Sequence, residues 1–209
     1  MGVNKKQKNY KWLVGIDEVG RGPLAGPVTV GLFAINVKEG FKENLRVDKK
    51  FFRKILEKVR IDDSKDMTEK QREETFEFLK KEKFYFSVMH MNSDLIDKKG
   101  IAVCIKELVD KQLKKLNKKN TFVVLDGGLK TDLYPSRTII KGDSKFKVIG
   151  AAAIMAKVTR DRIMNGLSDR YPGYYFHEHK GYGTKKHIQA IKNFGICKIH
   201  RQSFLRKLL

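Results

Sequence analysis

The sequence predicts an α/β fold built on a mixed β-sheet flanked by helices. Two apolar, β-branched runs separated by a Gly- and Pro-rich turn come first; shorter apolar runs then alternate with stretches at helical spacing, and the chain ends in helix. Its 209 residues suffice for one compact domain whose core needs neither disulfides nor a metal staple.

Trp12 to Val19 is short, apolar and closed by a Gly-rich turn, so it reads as a buried strand, and Val28 to Val37 reads as its hairpin partner. The charged stretch Lys38 to Asp66 reads as a short helix and then a loop. Thr68 with Gln71 three residues on has the form of a capping box, which starts a helix with Phe76 and Leu79 on one face. Phe84 to Met91 alternates as a strand. Ser93 begins one helix that runs on through Ile101, Ile105, Leu108, Gln112 and Leu116. Thr121 to Leu125 is a strand closing on Asp126-Gly127-Gly128, and Thr138 to Ile140 a short one closing on Gly142-Asp143. Ser144 to Leu167, rich in Ala and Ile, reads as a largely buried helix with Thr159-Arg160-Asp161-Arg162 as its polar band. Tyr171 to Phe176 reads as a loop, and Lys185 to Asn193 as the last helix.

Lys and Arg number 45 against 24 Asp and Glu, a formal net charge of +21, which favours a polyanionic partner, nucleic acid above all. Cys104 and Cys197 lie far apart and form no C-x-x-C pair, so a disulfide framework and a thiolate zinc site are both unsignalled. The basic N-terminus lacks a signal-length apolar run, position 6 is Lys where a myristoylation motif requires Ser or Thr, and no stretch approaches a membrane span. A soluble protein of the reducing cytoplasm is expected, with no membrane partner.

Three apolar runs end in acid: at Asp17-Glu18, at Asp126 and at Asp143. Active sites of open α/β sheets lie at the carboxyl ends of strands, so this pattern delivers carboxylates from several strands to one edge. Gathered carboxylates repel and need a cation. Hard oxygen ligands suit Mg²⁺ or Mn²⁺, and two such ions fit phosphodiester hydrolysis. Neighbouring residues of an ideal strand point to opposite faces, so Asp17 and Glu18 share a site only if a twist, bulge or turn redirects one of them. The turn Gly20-Arg21-Gly22 is no dinucleotide fingerprint, since the third glycine is misplaced and two acids before it would repel a pyrophosphate. It suits close backbone approach to a sugar-phosphate chain. A silent nucleic-acid-binding module would share the basic surface but not the need for four acids. A nucleotide-binding oxidoreductase or NTPase would need the glycine fingerprint or a phosphate loop, and the chain has neither.

GIDEVGRGPLAGPV (15–28), DDSK (62–65), LDGG (125–128), KGDSKF (141–146), AAAIMAKVTRDR (151–162), HKGYGT (179–184) and IHRQSF (199–204) together resemble the type 2 ribonuclease H, or ribonuclease HII, family. The resemblance covers almost the whole chain, with its motifs in order. It implies a ribonuclease H-like fold as one domain over residues 1–209, an α/β core over about 10–167 followed by a C-terminal helical extension over 168–209. It also implies hydrolysis of the RNA strand of RNA/DNA hybrids and incision of duplex DNA 5′ to embedded ribonucleotides, as in replication and repair, leaving 3′-hydroxyl and 5′-phosphate ends. Carried over by motif, Asp17, Glu18, Asp126 and Asp143 are the metal-binding catalytic acids, Gly20, Arg21 and Gly22 read the 2′-hydroxyl at an RNA-to-DNA junction, and Tyr182 stacks on the next deoxyribose. Val19, Gly128 and Ala153 depart from the family's commoner residues, and none is a metal ligand. A monomer is expected, and the sequence is silent on a clamp partner.

Other candidates have blander readings. Asp161, flanked by arginines, reads as an ion-pair residue rather than the fourth acid. Lys65, inside a motif, is the lysine to contact phosphate, whereas Lys145 and Lys180 read as solvated surface. His177, His179 and His187 lack zinc-site spacing. Tyr174 and Tyr175 read as loop packing, but Tyr182 between two glycines has little local cover and reads as exposed for stacking.

Overall fold

The computed structural model describes residues 9–42, 47–82, 84–116 and 118–206. Among these residues five strands, β1 (Tyr10–Val19), β2 (Val28–Phe41), β3 (Tyr85–Met91), β4 (Thr121–Asp126) and β5 (Ser136–Ile139), form one sheet in the order β3-β2-β1-β4-β5. β1, β2 and β3 run antiparallel in sequence, whereas β4 and β5 join β1 in parallel, so the sheet is mixed as predicted. The helices are α1 (Val47–Leu56), α2 (Glu69–Lys81), α3 (Ser93–Lys99), α4 (Ile101–Leu116), α5 (Gly142–Lys145), α6 (Lys147–Arg170), α7 (Phe176–His179), α8 (Lys185–Phe194) and α9 (Gln202–Leu205), with one 3₁₀ turn at Pro172–Tyr174.

Strand parity sorts the core. Leu13, Phe33, Ile35, Phe122 and Val124 face α6, α1 and α2, where they meet Val148, Ile149, Ala152, Met155, Phe52 and Leu79. Val14, Ile16, Val30, Leu32, Val123 and Leu125 face the opposite way, onto Ile105, Leu108 and Leu113 of α4. Each such fully buried side chain contributes about 1.5–3 kcal/mol of transfer free energy. Two glycines bring α6 unusually close: a Cβ at Gly15 would overlap the Val148 carbonyl, and one at Gly31 the Ala152 carbonyl. The sheet therefore meets the backbone of α6 directly, which sets where its N-terminal end lies relative to Asp17.

The capping box forms as read: Gln71 N–H donates to Thr68 Oγ1 at 3.2 Å, and Thr68 N–H to Gln71 Oε1 at 3.0 Å. Several expectations need correction. The helix expected to run unbroken from Ser93 divides at Gly100, whose φ of 83° ends α3 before α4 begins. The Ser144 helix is preceded by a separate short turn, α5, because Phe146 is extended between the two. Lys38 to Phe41 continue β2 instead of entering a helix. β5 begins two residues earlier than expected, and the Tyr171 to Phe176 loop holds a 3₁₀ turn, with Tyr174 stacked on Phe176. In the polar band of α6, Arg160 is fully buried and only Arg162 reaches the surface ion pairs with Glu73 and Glu77.

A third apolar cluster, Leu24, Ala25, Met164, Tyr174, Phe176, Ala190, Ile191 and Leu205, seats the last helices against the loop after β1. Among the described residues no helix is long and apolar enough to cross a membrane.

Candidate active site

β1 and β4 pair as far as Ile16 with Leu125, so Asp17 and Asp126 stand one residue beyond the last pair, at the carboxyl edge of the sheet. Parity puts both on the α6 face. Asp143 joins them from the first turn of α5, after a turn in which Lys141 adopts φ 55°. Gly142 N–H donates to Asp126 Oδ1 at 2.5 Å and fixes that turn against the strand. Asp17 Oδ1 accepts the Glu18 N–H at 2.7 Å, and Asp143 Oδ1 accepts the Ser144 N–H at 3.0 Å.

Glu18 comes to the site without a bulge at its end of β1. The β1–β2 ladder is regular through Val19, so Glu18 keeps its own face of the strand and is within electrostatic reach of Asp126. Its Oε1 accepts Arg21 Nη1 at 2.9 Å, and its Oε2 is buried with no hydrogen-bond partner.

The electrostatics record the crowding. Burial first, then the carboxylates of Glu18, Asp126 and Asp143, push the Asp17 carboxyl well above the ordinary range. Burial likewise raises Glu18 against the pull of Arg21, and burial with Asp63 and Asp126 raises Asp143. Near them is Lys65: burial works against its charge, but Asp63, Asp143, Asp17 and Asp126 hold its pKa above the usual lysine value.

This donor set fits a hard divalent cation. Arg21 and Lys65 offset the crowded acids only in part, since Asp17, Glu18 and Asp143 all stay raised, and Glu18 Oε2 is a buried oxygen that no donor reaches. Among the described residues no three Asp, Glu, His or Cys groups form a ready-made cage. The fit is therefore to an ion that keeps waters and completes its shell with substrate oxygens, as Mg²⁺ does and as carboxylate-selected Mn²⁺ can.

The glycine turn lies alongside. Gly20 has φ 87°, and a Cβ at Gly22 would sit 4.0 Å from Tyr182 Cε1, so the turn and the ring are neighbours. Tyr182 is 41% exposed, as its flanking glycines suggest, and its ring centroid lies 5.9 Å from Arg160 Cζ. Arg21 is exposed beyond its contact with Glu18.

Other residues depart from their sequence readings. Asp161 is an ion-pair residue, but with Lys157 at 2.9 Å and Arg72 at 4.0 Å instead of its flanking arginines. Lys180 is tethered, donating to Asn165 Oδ1 at 2.7 Å and the His177 carbonyl at 2.6 Å, and Lys145 donates to the Ile140 carbonyl at 2.8 Å. Sequence reasoning singled out Lys65 in the DDSK motif and passed over its neighbours. Asp62 anchors that loop to α6 by accepting Lys147 Nζ at 2.8 Å, while Asp63 faces Asp143 electrostatically. It also missed Arg201, fully buried beneath the glycine turn, although the IHRQSF motif carries it.

The sequence profile of ribonuclease HII matches residues 14–207 of this chain. The chain belongs to the ribonuclease HII family. The ribonuclease HII of Aliarcobacter butzleri is 40% identical over 199 residues, covering 95% of this chain and 93% of its own length. That of Fusobacterium nucleatum is 42% identical over 207 residues, covering 96% and 88%. In structure the chain is similar to the ribonuclease H2 of Pyrococcus horikoshii, with a TM-score of 0.68, 26% identity and coverage of 94% and 96%. The fold is that of ribonuclease H, and the protein is a ribonuclease H type endonuclease.

Proposed function

We propose that this member of the ribonuclease HII family hydrolyses the RNA strand of RNA/DNA hybrids and incises duplex DNA 5′ to embedded ribonucleotides, leaving 3′-hydroxyl and 5′-phosphate ends. The observation that carries the reading is the juxtaposition of Asp17, Glu18, Asp126 and Asp143 with a glycine turn that has an exposed tyrosine beside it. Asp17, Glu18, Asp126 and Asp143 would hold two divalent ions, Mg²⁺ or Mn²⁺. When bound, such ions supply a water nucleophile at neutral pH and stabilise charge on the leaving oxygen.

The protein's own groups do the rest. Lys65, kept charged by its acidic neighbours, holds a phosphate of the scissile strand. Gly20, Arg21 and Gly22 bring backbone within reach of a ribose hydroxyl, and Tyr182 offers its face to the adjoining deoxyribose. The formal charge of +21 draws the polyanion in. The protein acts as a monomer in the cytoplasm, in keeping with its unpaired Cys104 and Cys197, and serves ribonucleotide removal in replication and repair.

The test is cleavage of an end-labelled DNA duplex carrying one ribonucleotide, with Mg²⁺, with Mn²⁺ and with chelator, using Asp143→Asn as control. A metal-dependent cut on the 5′ side of the ribonucleotide, absent in the variant, is the expected result. Cutting only within long hybrids would remove the junction role of Gly20 to Gly22. Binding without any cutting would leave a silent binding module.

A further inference from the structure

Beneath the glycine turn lie two fully buried guanidinium groups that meet backbone carbonyls instead of carboxylates. Arg201 donates Nη2 to the Gly20 carbonyl at 2.7 Å, Nη1 to the Arg21 carbonyl at 3.0 Å and Nε to the Gly26 carbonyl at 3.0 Å. Arg160 donates Nε to the Pro27 carbonyl at 2.9 Å and Nη2 to the Ala25 carbonyl at 3.4 Å. Burying a guanidinium without a carboxylate is costly, so this arrangement needs a reason beyond packing.

Peptide geometry supplies one. No peptide bond among the described residues is cis, and in a planar trans unit the C=O and N–H point in opposite directions. The Gly20 carbonyl shares its peptide unit with the Arg21 N–H, and the Arg21 carbonyl shares its unit with the Gly22 N–H. When Arg201 draws both carbonyls inward, both N–H groups are turned outward, on the exposed side of the turn where Arg21 and Gly22 lie. A turn containing two glycines would otherwise flip these units at little cost.

We propose that Arg201 is a positioning residue for sugar discrimination: its fork locks the two peptide units of Gly20-Arg21-Gly22 so that two backbone donors face the ribose 2′-hydroxyl. This rests on the junction reading above and adds to it the residue that sets the turn's orientation. A lysine cannot replace the fork, because a single ammonium nitrogen does not reach the carbonyls of residues 20, 21 and 26 that three separate guanidinium nitrogens meet.

The test compares wild type, Arg201→Lys and Arg201→Ala in chelator, so that no cleavage intervenes. Affinities are measured for an all-DNA duplex and for the same duplex with one ribonucleotide. Wild type is expected to prefer the ribonucleotide duplex. Both variants are expected to lose about tenfold or more of that preference, as for loss of a charge-assisted hydrogen-bond network, while all-DNA affinity, set by surface charge, stays put. Guanidinium ion added to Arg201→Ala should restore the preference, whereas a merely structural role would weaken both affinities together and leave their ratio unchanged. A folded variant that keeps the wild-type preference overturns the proposal.

If neither variant folds, the Arg21 and Gly22 amide resonances of wild type decide. They should shift with the ribonucleotide duplex and not with all-DNA, and equal shifts would overturn the proposal. A wild type without any preference would instead count against the junction reading on which it rests.

Discussion

Gly142 donates its backbone N–H to Asp126 Oδ1 at 2.5 Å, which ties the carboxyl end of β4 to the helix turn that carries Asp143. One acid thus positions the backbone that presents another. A Cβ at Gly142 would lie 2.6 Å from Ile149 Cδ1 and 3.1 Å from Asp126 Oδ1. Gly142→Ala should therefore displace Asp143 relative to Asp126. The expected outcome is a loss of cleavage of about a hundredfold, as for a catalytic group misplaced by about 1 Å. Thermal unfolding, measured in parallel, should report a loss of only about 1–3 kcal/mol, the usual range for mild overpacking.

Asp17 is buried among like charges, so its carboxylate costs stability until a cation arrives. Asp17→Asn removes that charge while keeping the shape. In chelator the variant should melt at a higher temperature than wild type. Adding Mg²⁺ or Mn²⁺ should raise the melting temperature of wild type and leave the variant nearly unmoved, because binding to the native state alone stabilises it. Cleavage should be abolished while affinity for the duplex is largely kept. Loss of both together would count against a metal-binding role for Asp17.

Behind Tyr182 lies a buried histidine network. His187 Nδ1 meets the Tyr182 carbonyl at 2.9 Å and its Nε2 meets His200 Nε2 at 3.1 Å, while His179 stacks on His187 at 4.5 Å. The carbonyl contact assigns the proton of neutral His187 to Nδ1, leaving Nε2 to accept from His200. Burial, with the charges of His179 and His200, pushes His187 from 6.5 down to about 4, against the Tyr182 carbonyl, and burial also lowers His179 and His200. The unfolded chain binds the proton first, so stability is full above about pH 6.5 and falls as pH drops toward 4, by at most about 1.4 kcal/mol per pH unit for each histidine. His187→Asn, which keeps a donor for the Tyr182 carbonyl, should flatten that acid slope in urea unfolding measured from pH 7 to 4. An unchanged slope would assign the acid sensitivity elsewhere.

The parts legible in the sequence are those fixed by near neighbours. Asp17-Glu18, Asp126 and Asp143 could be found because each closes an apolar run, and Thr68 with Gln71 because a capping box is local. Gly100 lies within an apolar pattern that continues across it, so periodicity alone read one helix where backbone geometry makes two. Arg160 and Arg201 were illegible for a different reason. Their partners are carbonyls more than a hundred residues away in sequence, and nothing near an arginine signals that it will be buried against them. Glu18 was half legible: parity rightly put it on the other face from Asp17, and only the fold shows that Asp126 is within reach of both.

Gly31 pairs with Asp17 across β1 and β2, and its bare Cα lets the Ala152 carbonyl of α6 approach the sheet. Gly31→Ala would drive a methyl group into backbone, with Ala156 Cβ also only 3.1 Å away. Neither neighbour is a flexible side-chain end that can yield. Denaturant unfolding should show a loss of about 2 kcal/mol or more, and cleavage should fall as α6 and the preceding Asp143 move from β1.

Tyr182 separates two roles that a single truncation would confound. Its ring is 41% exposed, but its backbone carbonyl is held by His187 and its N–H donates to the His179 carbonyl at 2.9 Å, so its position does not depend on burial of the ring. Tyr182→Ala should leave the melting temperature within a few degrees of wild type, as for substitutions at exposed positions. Cleavage beside a single ribonucleotide should fall by about tenfold, the loss that about 1.4 kcal/mol of binding corresponds to. Tyr182→Phe keeps the face and removes only the hydroxyl, so it should retain most activity. A collapse of the melting temperature in Tyr182→Ala would show that the ring supports the fold through Arg160, while a loss in Tyr182→Phe equal to that in Tyr182→Ala would move the role from the ring face to the hydroxyl.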